Sequence, residues 1–529
     1  MLSASAYKQK ELEKARQQHE ELVRQTIEKV NGLAIALNDN TDNNLVWPKF
    51  VEMYNELQTL REIQSPHFKL INSSHASKPA GDSASGTTLE NLVRWLKKNG
   101  AKIDDSVAQL SSETDDASRH STHQKLSSKE SLISIFPASL IEGNGVFVNR
   151  PVNAGELLIQ VPRSLMMTIE LIQKYPQLKP ITQDGLISQI PSIQLAVLLI
   201  YEKYLGHSFW EPYIASLPKK YSTIYYWSLE QIRKTKGSFL FEQAISVFCT
   251  TVKAYYETLM TILTHDIMPK NFYTYDTFIW ALSAVYSRQT FIAKSSKCSP
   301  NPGYDSNERT TLALVPGYDM FNHAYGKNTS NYDSEADALQ LFAMKNFERG
   351  EQAYMYYGPR SNSELLLYQG FVDCENPHDY TLFYTSIPET DPLFEKKQQL
   401  LKQLSFEFNH DGSITLPLFA HTLAPSSLLF FRVMVCNDES LLTLDTLSQS
   451  LDTKTTFLPK DSEKLALKML SLKCQQLLNN APKCCENVPD LKKVKKVDPI
   501  EYALTLFFIT QKKIIESSLT LSLNASDAC

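Results

Sequence analysis

Two short stretches far apart in the chain repeat one pattern, and that repetition limits the fold more than any other feature. GVFVNRPVNAGELLIQVP (145–162) and LQLFAMKNFERGEQAYMYYG (339–358) each read as strand, glycine turn, strand, with NAGE and ERGE at the turns. Between them, 165–290 is dominated by apolar residues at three- and four-residue spacing, as in IQLAVLLIYEKYL and YTYDTFIWALSAVYSRQ. A β region drawn from both sides of a helical insertion is therefore expected. From about residue 390 the chain again reads as mostly helical, in EKKQQLLKQL, SEKLALKMLSLKCQQLL and EYALTLFFITQKKII. The fold class implied is α+β.

A chain of 529 residues is too long for one core. We expect an N-terminal helical region over 1–130, a β-containing domain over 131–376 with its helical insertion at about 168–290, and a helical C-terminal domain over 377–529. In the first region, 7–30 and 47–63 read as helices, and LENLVRWLKKNG (89–100) as an amphipathic helix closed by glycine. The polar, serine-rich stretches 72–86 and 111–131 read as loosely held.

Charge and composition exclude several classes of function. A net charge of −5 and a pI near 6.2 provide no field that would recruit nucleic acid or anionic lipid. The longest aliphatic run, LAVLLIY (195–201), is far below the roughly 20 residues of a bilayer span. The N-terminus (MLSASAYKQKELEK) lacks the apolar centre of a secretory signal. None of the eight cysteines forms a C-x-x-C pair, which argues against structural zinc and for reduced thiols in a cytosolic or nuclear protein. We expect a cytoplasmic monomer. The lysine run KKVKK (492–496) reads as a solvated helix face.

Four segments carry polar groups in unusual company: IEGNGVF (141–147), YSRQTF (286–291), GYDMFNH (317–323) and AYMYYGPRSNSELLLYQGF (353–371). In the third, Asp319, Asn322 and His323 are packed among Met320 and Phe321, where each polar group must find a partner or cost about 1–3 kcal/mol. In the fourth, Ser361 and Glu364 form a capping box ahead of an apolar helix that ends at Gly370, fixing the backbone after Tyr357. Taken singly these residues have ordinary readings. His323 would be a satisfied loop histidine, Arg288 an ion-pair residue, Asp319 a turn residue, and Tyr357 a core ring.

In this order and at these separations, the segments resemble those of SET-domain methyltransferases, across roughly 130–380. The glycine-rich E-G-x-G turn, N-H after a short strand, and G-E-Q-x-Y-x-x-Y-G carry the resemblance. It implies a SET domain of short sheets with knot-like C-terminal threading. The helical insertion and helical C-terminal half resemble the RuBisCO large-subunit methyltransferase subclass. There, FWEPYIASLP (209–218), SRQ (287–289), TLALVP (311–316) and GEQAYMYYGPRSN (350–362) are most similar to the actin-histidine methyltransferases.

The resemblance implies S-adenosylmethionine as cofactor, no metal, and a protein substrate, actin, bearing the acceptor nitrogen. It puts Glu142, Gly143 and Asn144 along the cofactor and Arg288 at its carboxylate. Asp319, Met320, Phe321, Asn322 and His323 would lie along its adenine and amino-acid portions, and Gln369, Gly370 and Phe371 would close the adenine side. Tyr357 is the expected catalytic tyrosine, orienting the methyl group. Thr290, Tyr318 and Arg360 would meet the substrate. Physically, in-line displacement at a sulfonium methyl draws on alignment, with on the order of 7–11 kcal/mol available from proximity.

The chain departs from the actin-histidine pattern at two substrate positions: Thr290 stands where those enzymes carry asparagine, and Tyr318 where they carry tryptophan. Asn144 also replaces an apolar residue. A threonine hydroxyl can still accept an imidazole N–H, and a tyrosine ring still offers an aromatic wall. The same architecture serves lysine methyltransferases, whose substrate amine must arrive deprotonated, in an apolar pocket. A third reading is a substrate-binding scaffold that keeps the fold without activity.

Overall fold

The structure is a computed structural model describing residues 4–38, 43–74, 87–103, 133–139, 143–294, 310–409, 411–450, 453, 455–481 and 498–529. Residues 72–74, expected to be loosely held with 75–86, instead continue the second helix, which ends at Ser74. The rest of that stretch (75–86), 111–131, the KKVKK run and Glu142 lie outside the described residues. The chain divides into two compact units. One comprises 1–34, 52–221 and 250–358, and the other 35–51, 222–249 and 359–529.

Among the described residues the first unit holds ten strands: β1 (Ile133–Ser139), β2 (Gly143–Val148), β3 (Leu157–Pro162), β4 (Met167–Thr168), β5 (Thr290–Ala293), β6 (Thr310–Leu314), β7 (Asn322–His323), β8 (Ser330–Asp333), β9 (Ala338–Phe342) and β10 (Gln352–Met355). They form three small sheets ordered β1-β2-β10-β7, β3-β9-β8 and β4-β6-β5. The two repeated stretches do not close as two hairpins. Instead β2 pairs antiparallel with β10, placing Val146 against Ala353, while β3 pairs antiparallel with β9 in the other sheet.

The turns explain the echo. In the first, Glu156 N–H donates to Asn153 O at 3.1 Å and the Glu156 carboxylate accepts from Asn153 N–H at 3.2 Å. In the second, Glu351 N–H donates to Glu348 O at 3.0 Å and its carboxylate accepts from Glu348 N–H at 2.6 Å. Each turn needs φ > 0 at its third residue, supplied by Gly155 at +82° and Gly350 at +85°. The two segments are laced together by Val148 N–H to Glu351 O at 3.0 Å, Val152 N–H to Phe347 O at 2.9 Å and Gly155 N–H to Ala343 O at 2.8 Å.

The insertion is helical as its periodicity predicts, with helices at Pro191–Leu205, Phe239–Thr264 and Tyr275–Arg288. The N-terminal helices are longer than expected, Ala4–Asn38 and Asn43–Ser74. The first is more than a surface helix, since Ile27, Val30 and Ala34 are fully buried. The amphipathic helix is Thr88–Lys98, entered through a Thr87/Glu90 capping box and left at Gly100 with φ +95°.

The second unit packs helices Phe394–Gln403, Pro425–Val435, Lys460–Asn479 and Pro499–Ala528 around a core that includes Leu401, Leu429, Phe430, Leu470 and Cys474. It also contains a sheet that helical periodicity did not reveal: β11 (Tyr380–Thr385) antiparallel to β12 (Ile414–Phe419). β12 reads ITLPLF, with Ile414, Leu416 and Leu418 buried in strict alternation. Pro417, which has no N–H to donate, is tolerated because a two-stranded sheet is all edge.

Candidate active site

The site is built around the turn into GYDMFNH. β6 ends at Leu314 and the chain reverses at Gly317, whose φ is +84°. A Cβ there would sit 2.7 Å from Leu96 Cδ1 and 3.2 Å from Ile159 Cδ1, both on buried side chains. Gly317→Ala should therefore destabilise the protein by about 1–3 kcal/mol through strain and overpacking, measurable by denaturant unfolding. No loss of stability would show that Leu96 and the turn adjust freely.

After Gly317 a single 3₁₀ turn, Tyr318–Met320, directs Asp319 inward, where its side chain is 0% exposed. Tyr213, fully buried, donates its hydroxyl to Asp319 Oδ2 at 2.5 Å. Arg288, the last residue of its helix, donates Nη1–H to the Asp319 carbonyl at 2.8 Å and lies 3.6 Å from Asp319 Oδ2. Burial raises the Asp319 carboxyl above its ordinary range, with Arg288 and Tyr213 drawing it back. Burial also disfavours the Arg288 charge, but Asp319 and the neighbouring phenols hold that guanidinium more firmly protonated than usual. Burial pushes Tyr221, beside it, up to about 12.

Within this network Arg288 Nε and Asp319 Oδ1 are buried and meet no hydrogen-bond partner. Another buried arginine shows what a purely structural one looks like. In the second unit Arg432 donates Nε–H to Glu463 at 2.9 Å, Nη2–H to the same carboxylate at 2.7 Å and Nη1–H to Thr455 O at 2.8 Å. Leaving a donor and an acceptor orphaned costs about 1–3 kcal/mol each. One such N–H and one such carboxylate oxygen, on residues whose Nη1 and Oδ2 lie 3.6 Å apart, complement the carboxylate and ammonium of an α-amino acid. The residues present therefore fit the amino-acid end of S-adenosylmethionine.

Beyond Phe321 the chain forms β7, which runs parallel to β10 and pairs Asn322 with Tyr354 and His323 with Met355. Asn322 Nδ2 donates to Gln352 Oε1 at 2.8 Å and to Asn144 O at 3.2 Å, drawing β2, β7 and β10 together. The irregular segment after β10 is tied to β7 through His323. Tyr357 N–H donates to His323 Nδ1 at 3.2 Å, so that nitrogen is bare and its ring proton sits on Nε2. The Tyr357 hydroxyl donates to the Phe321 carbonyl at 2.9 Å. The rings of His323 and Tyr357 lie 5.1 Å apart.

Thr290 opens β5 opposite Ala313 of β6. Burial raises the Tyr318 hydroxyl, while hydrogen bonds with Ser330 and Thr290 pull it down. The Tyr318–Ser330 oxygens are 2.8 Å apart. The two positions at which the chain departs from the actin-histidine pattern thus share one hydroxyl cluster.

Of the residues singled out from sequence, Asn144, Arg288, Thr290, Tyr318, Asp319, Met320, Phe321, Asn322, His323 and Tyr357 belong to the first unit, as does Gly143. Arg360, Gln369, Gly370 and Phe371 belong to the second. There the Ser361/Glu364 capping box is present, but the apolar turn it starts is a π turn, Leu365–Gln369. Gly370 closes it at φ +81° with its Cα hydrogen facing the Ser222 backbone, 2.8 Å from where a Cβ would lie. The Arg360 carbonyl accepts from Asn376 Nδ2 at 2.8 Å. Sequence reasoning missed Tyr213, Tyr221, Ser330 and Gln352. Tyr213 and Gln352 stood inside quoted motifs, but nothing local distinguished them from packing residues.

This fold and site are in keeping with a SET domain over part of the chain. Residues 143–358 match the SET domain family, and residues 388–515 match the family described as Rubisco LSMT substrate-binding. Among curated proteins the chain is 32% identical to the actin-histidine N-methyltransferase of Gallus gallus over 309 residues, 57% of this chain and 49% of that protein. With the enzyme of the same name from Mus musculus it is 33% identical over 310 residues, again 57% and 49%. The chain thus matches about half the length of these relatives. Among solved structures, Rubisco LSMT bound to sinefungin and monomethyllysine superposes with a TM-score of 0.59 at 20% identity, over 83% of this chain and 92% of that one.

Proposed function

We propose that the chain is an S-adenosylmethionine-dependent protein N-methyltransferase that methylates a histidine side chain of actin, acting as a cytoplasmic monomer. The identity to actin-histidine N-methyltransferases and the SET domain support the reaction class. Buried thiols at Cys436 and Cys474 are in keeping with a reducing compartment.

S-adenosylmethionine supplies an electrophilic methyl when bound. In this reading Arg288 and Asp319 take its carboxylate and ammonium, and the backbone around Asn322 and His323, fixed by β10, holds the rest. Tyr357 orients: its hydroxyl is committed as a donor to Phe321 O, so it presents lone pairs rather than a proton. An unperturbed phenol, with a pKa of about 10, is in any case a poor base near neutrality.

The Thr290–Tyr318–Ser330 hydroxyl cluster carries the choice of histidine over lysine. An imidazole attacks through one bare nitrogen while the other donates N–H, and that donor needs an oxygen. A lysine amine is better served by apolar walls that favour its neutral form. Thr290→Val keeps the shape and removes the acceptor. It should lower the rate on a histidine peptide by about ten- to a hundredfold, the worth of about 1–3 kcal/mol. A matched peptide with lysine at the target position should be the poorer substrate of the wild type and gain relative to histidine in the variant. Preference of the wild type for the lysine peptide, with the histidine rate intact in Thr290→Val, would transfer the assignment to lysine. The direct test is mass spectrometry of actin after incubation with enzyme and cofactor. A methyl on a histidine is expected, and unmodified actin would refute the substrate assignment.

A further inference from the structure

The second unit contains a cavity of about 240 Å³ walled by aromatic rings. Its walls include Phe239, Tyr380, Tyr384 and Phe508, and its polar lining includes Glu242 and Gln243. A small-molecule site usually has about 300–1,000 Å³, so this space suits one side chain better than a free ligand.

Three observations define what that side chain must carry. Gln243 Oε1 is buried and has no hydrogen-bond partner, so an acceptor awaits a donor. The Glu242 carboxylate stands at the cavity, accepting from the Tyr384 hydroxyl. Desolvation raises its carboxyl, the Tyr384 bond lowers it, and the negative charge of Asp411 raises it again. A carboxylate whose ionisation is opposed in this way is favoured in its charged form by a cation placed against it. The rings of Phe239 and Tyr384, 5.7 Å apart, supply π faces beside these acceptors.

Glu242 by itself is an ordinary acidic residue in a first helical turn, complementing the helix dipole. Lys512 also lines the cavity, but it lies 3.9 Å from Glu516 one turn along its own helix. Neither fact accounts for the orphaned Gln243 oxygen or for the concentration of rings. An ammonium is compact and strongly hydrated. A guanidinium is planar, weakly hydrated, stacks on aromatic faces and has donors enough for both the amide oxygen and the carboxylate.

We infer that this cavity is a docking pocket for an arginine side chain of a protein partner. Where the partner is the methylation substrate, the inference rests on the function proposed above. The pocket would then hold the substrate protein at a point outside the reaction site, contributing affinity rather than rate.

The test uses the full chain and three amide probes, acetyl-arginine, acetyl-lysine and acetyl-leucine N-methylamide, with saturation-transfer NMR as the readout. The arginine probe should bind saturably and more tightly than the other two. Glu242→Gln and Gln243→Leu should each weaken it about tenfold, as loss of a charge-assisted or buried hydrogen bond does. Leucine binding as well as arginine, or arginine binding unmoved in both variants, would overturn the inference. A second arm measures actin methylation, in which Glu242→Gln should raise KM several-fold and leave kcat unchanged. An unchanged KM would remove the substrate as the source of the arginine. Arginine-probe binding without methylation of actin by the wild type would defeat the proposed function and leave the pocket standing.

Discussion

Replacing Tyr357 by phenylalanine should cost on the order of a hundredfold in kcat while leaving S-adenosylmethionine affinity almost unchanged. The asymmetry follows from what the hydroxyl touches. It donates to the Phe321 carbonyl at 2.9 Å, while its ring and backbone are held separately through His323. Phenylalanine keeps the ring contact and the Tyr357 N–H bond, so the local fold persists. What disappears is one oxygen, and with it the donor that satisfied the Phe321 carbonyl beside Asn322. A misplacement of about 1 Å in an aligned displacement can cost about 10²-fold, without a matching loss in ground-state binding. Single-turnover kinetics with calorimetry of cofactor binding separates the two quantities. Equal losses in both would make Tyr357 a binding residue, and full turnover would remove it from the reaction.

Much of the frame around Tyr357 was legible because it rests on local rules. Glycines with positive φ at 155, 317, 350 and 370 stand where turn chemistry anticipates them, and the Ser361/Glu364 box starts its helix as read. NAGE and ERGE predicted matched turns. That β2 would pair with β10 and β3 with β9 was not readable, because register across some 190 residues depends on packing rather than on either stretch alone. The β11–β12 sheet was hidden for a related reason. Six alternating residues in ITLPLF carry little signal between long helical runs, and a proline within them argues against a strand unless its edge position is known. The site's principal pairing was the least visible. Arg288 and Asp319 were each read as facing the cofactor, and nothing local indicated that they would also face each other. The partner that completes their network, Tyr213, lies 106 residues from Asp319.

That network makes Arg288→Ala the most disruptive single change we expect at the site. Asp319 would stay 0% exposed, would keep Tyr213, and would lose the only cation that offsets its burial among the described residues. Breaking a buried pair from one side typically costs about 3–5 kcal/mol, because an uncompensated charge remains. The loss should depend on pH in a definite direction. The Asp319 carboxyl is already raised in the fold, chiefly by burial, and without Arg288 it would rise further. A group whose folded-state pKa exceeds its unfolded value favours the fold when protonated, and that contribution is lost as pH rises through the folded value. The stability deficit of Arg288→Ala should therefore shrink as pH falls below neutrality, and grow towards neutral pH. Adding Asp319→Asn to Arg288→Ala should recover part of the deficit at neutral pH by removing the charge itself. Urea unfolding of the three variants at two pH values decides the matter. Calorimetry should show cofactor affinity weakened by about 1.5–3 kcal/mol, the usual worth of a charge-assisted bond. A deficit independent of pH and unaffected by Asp319→Asn would mean that Arg288 stabilises by packing alone. In that case its orphaned Nε would be the only remaining reason to point it at a ligand.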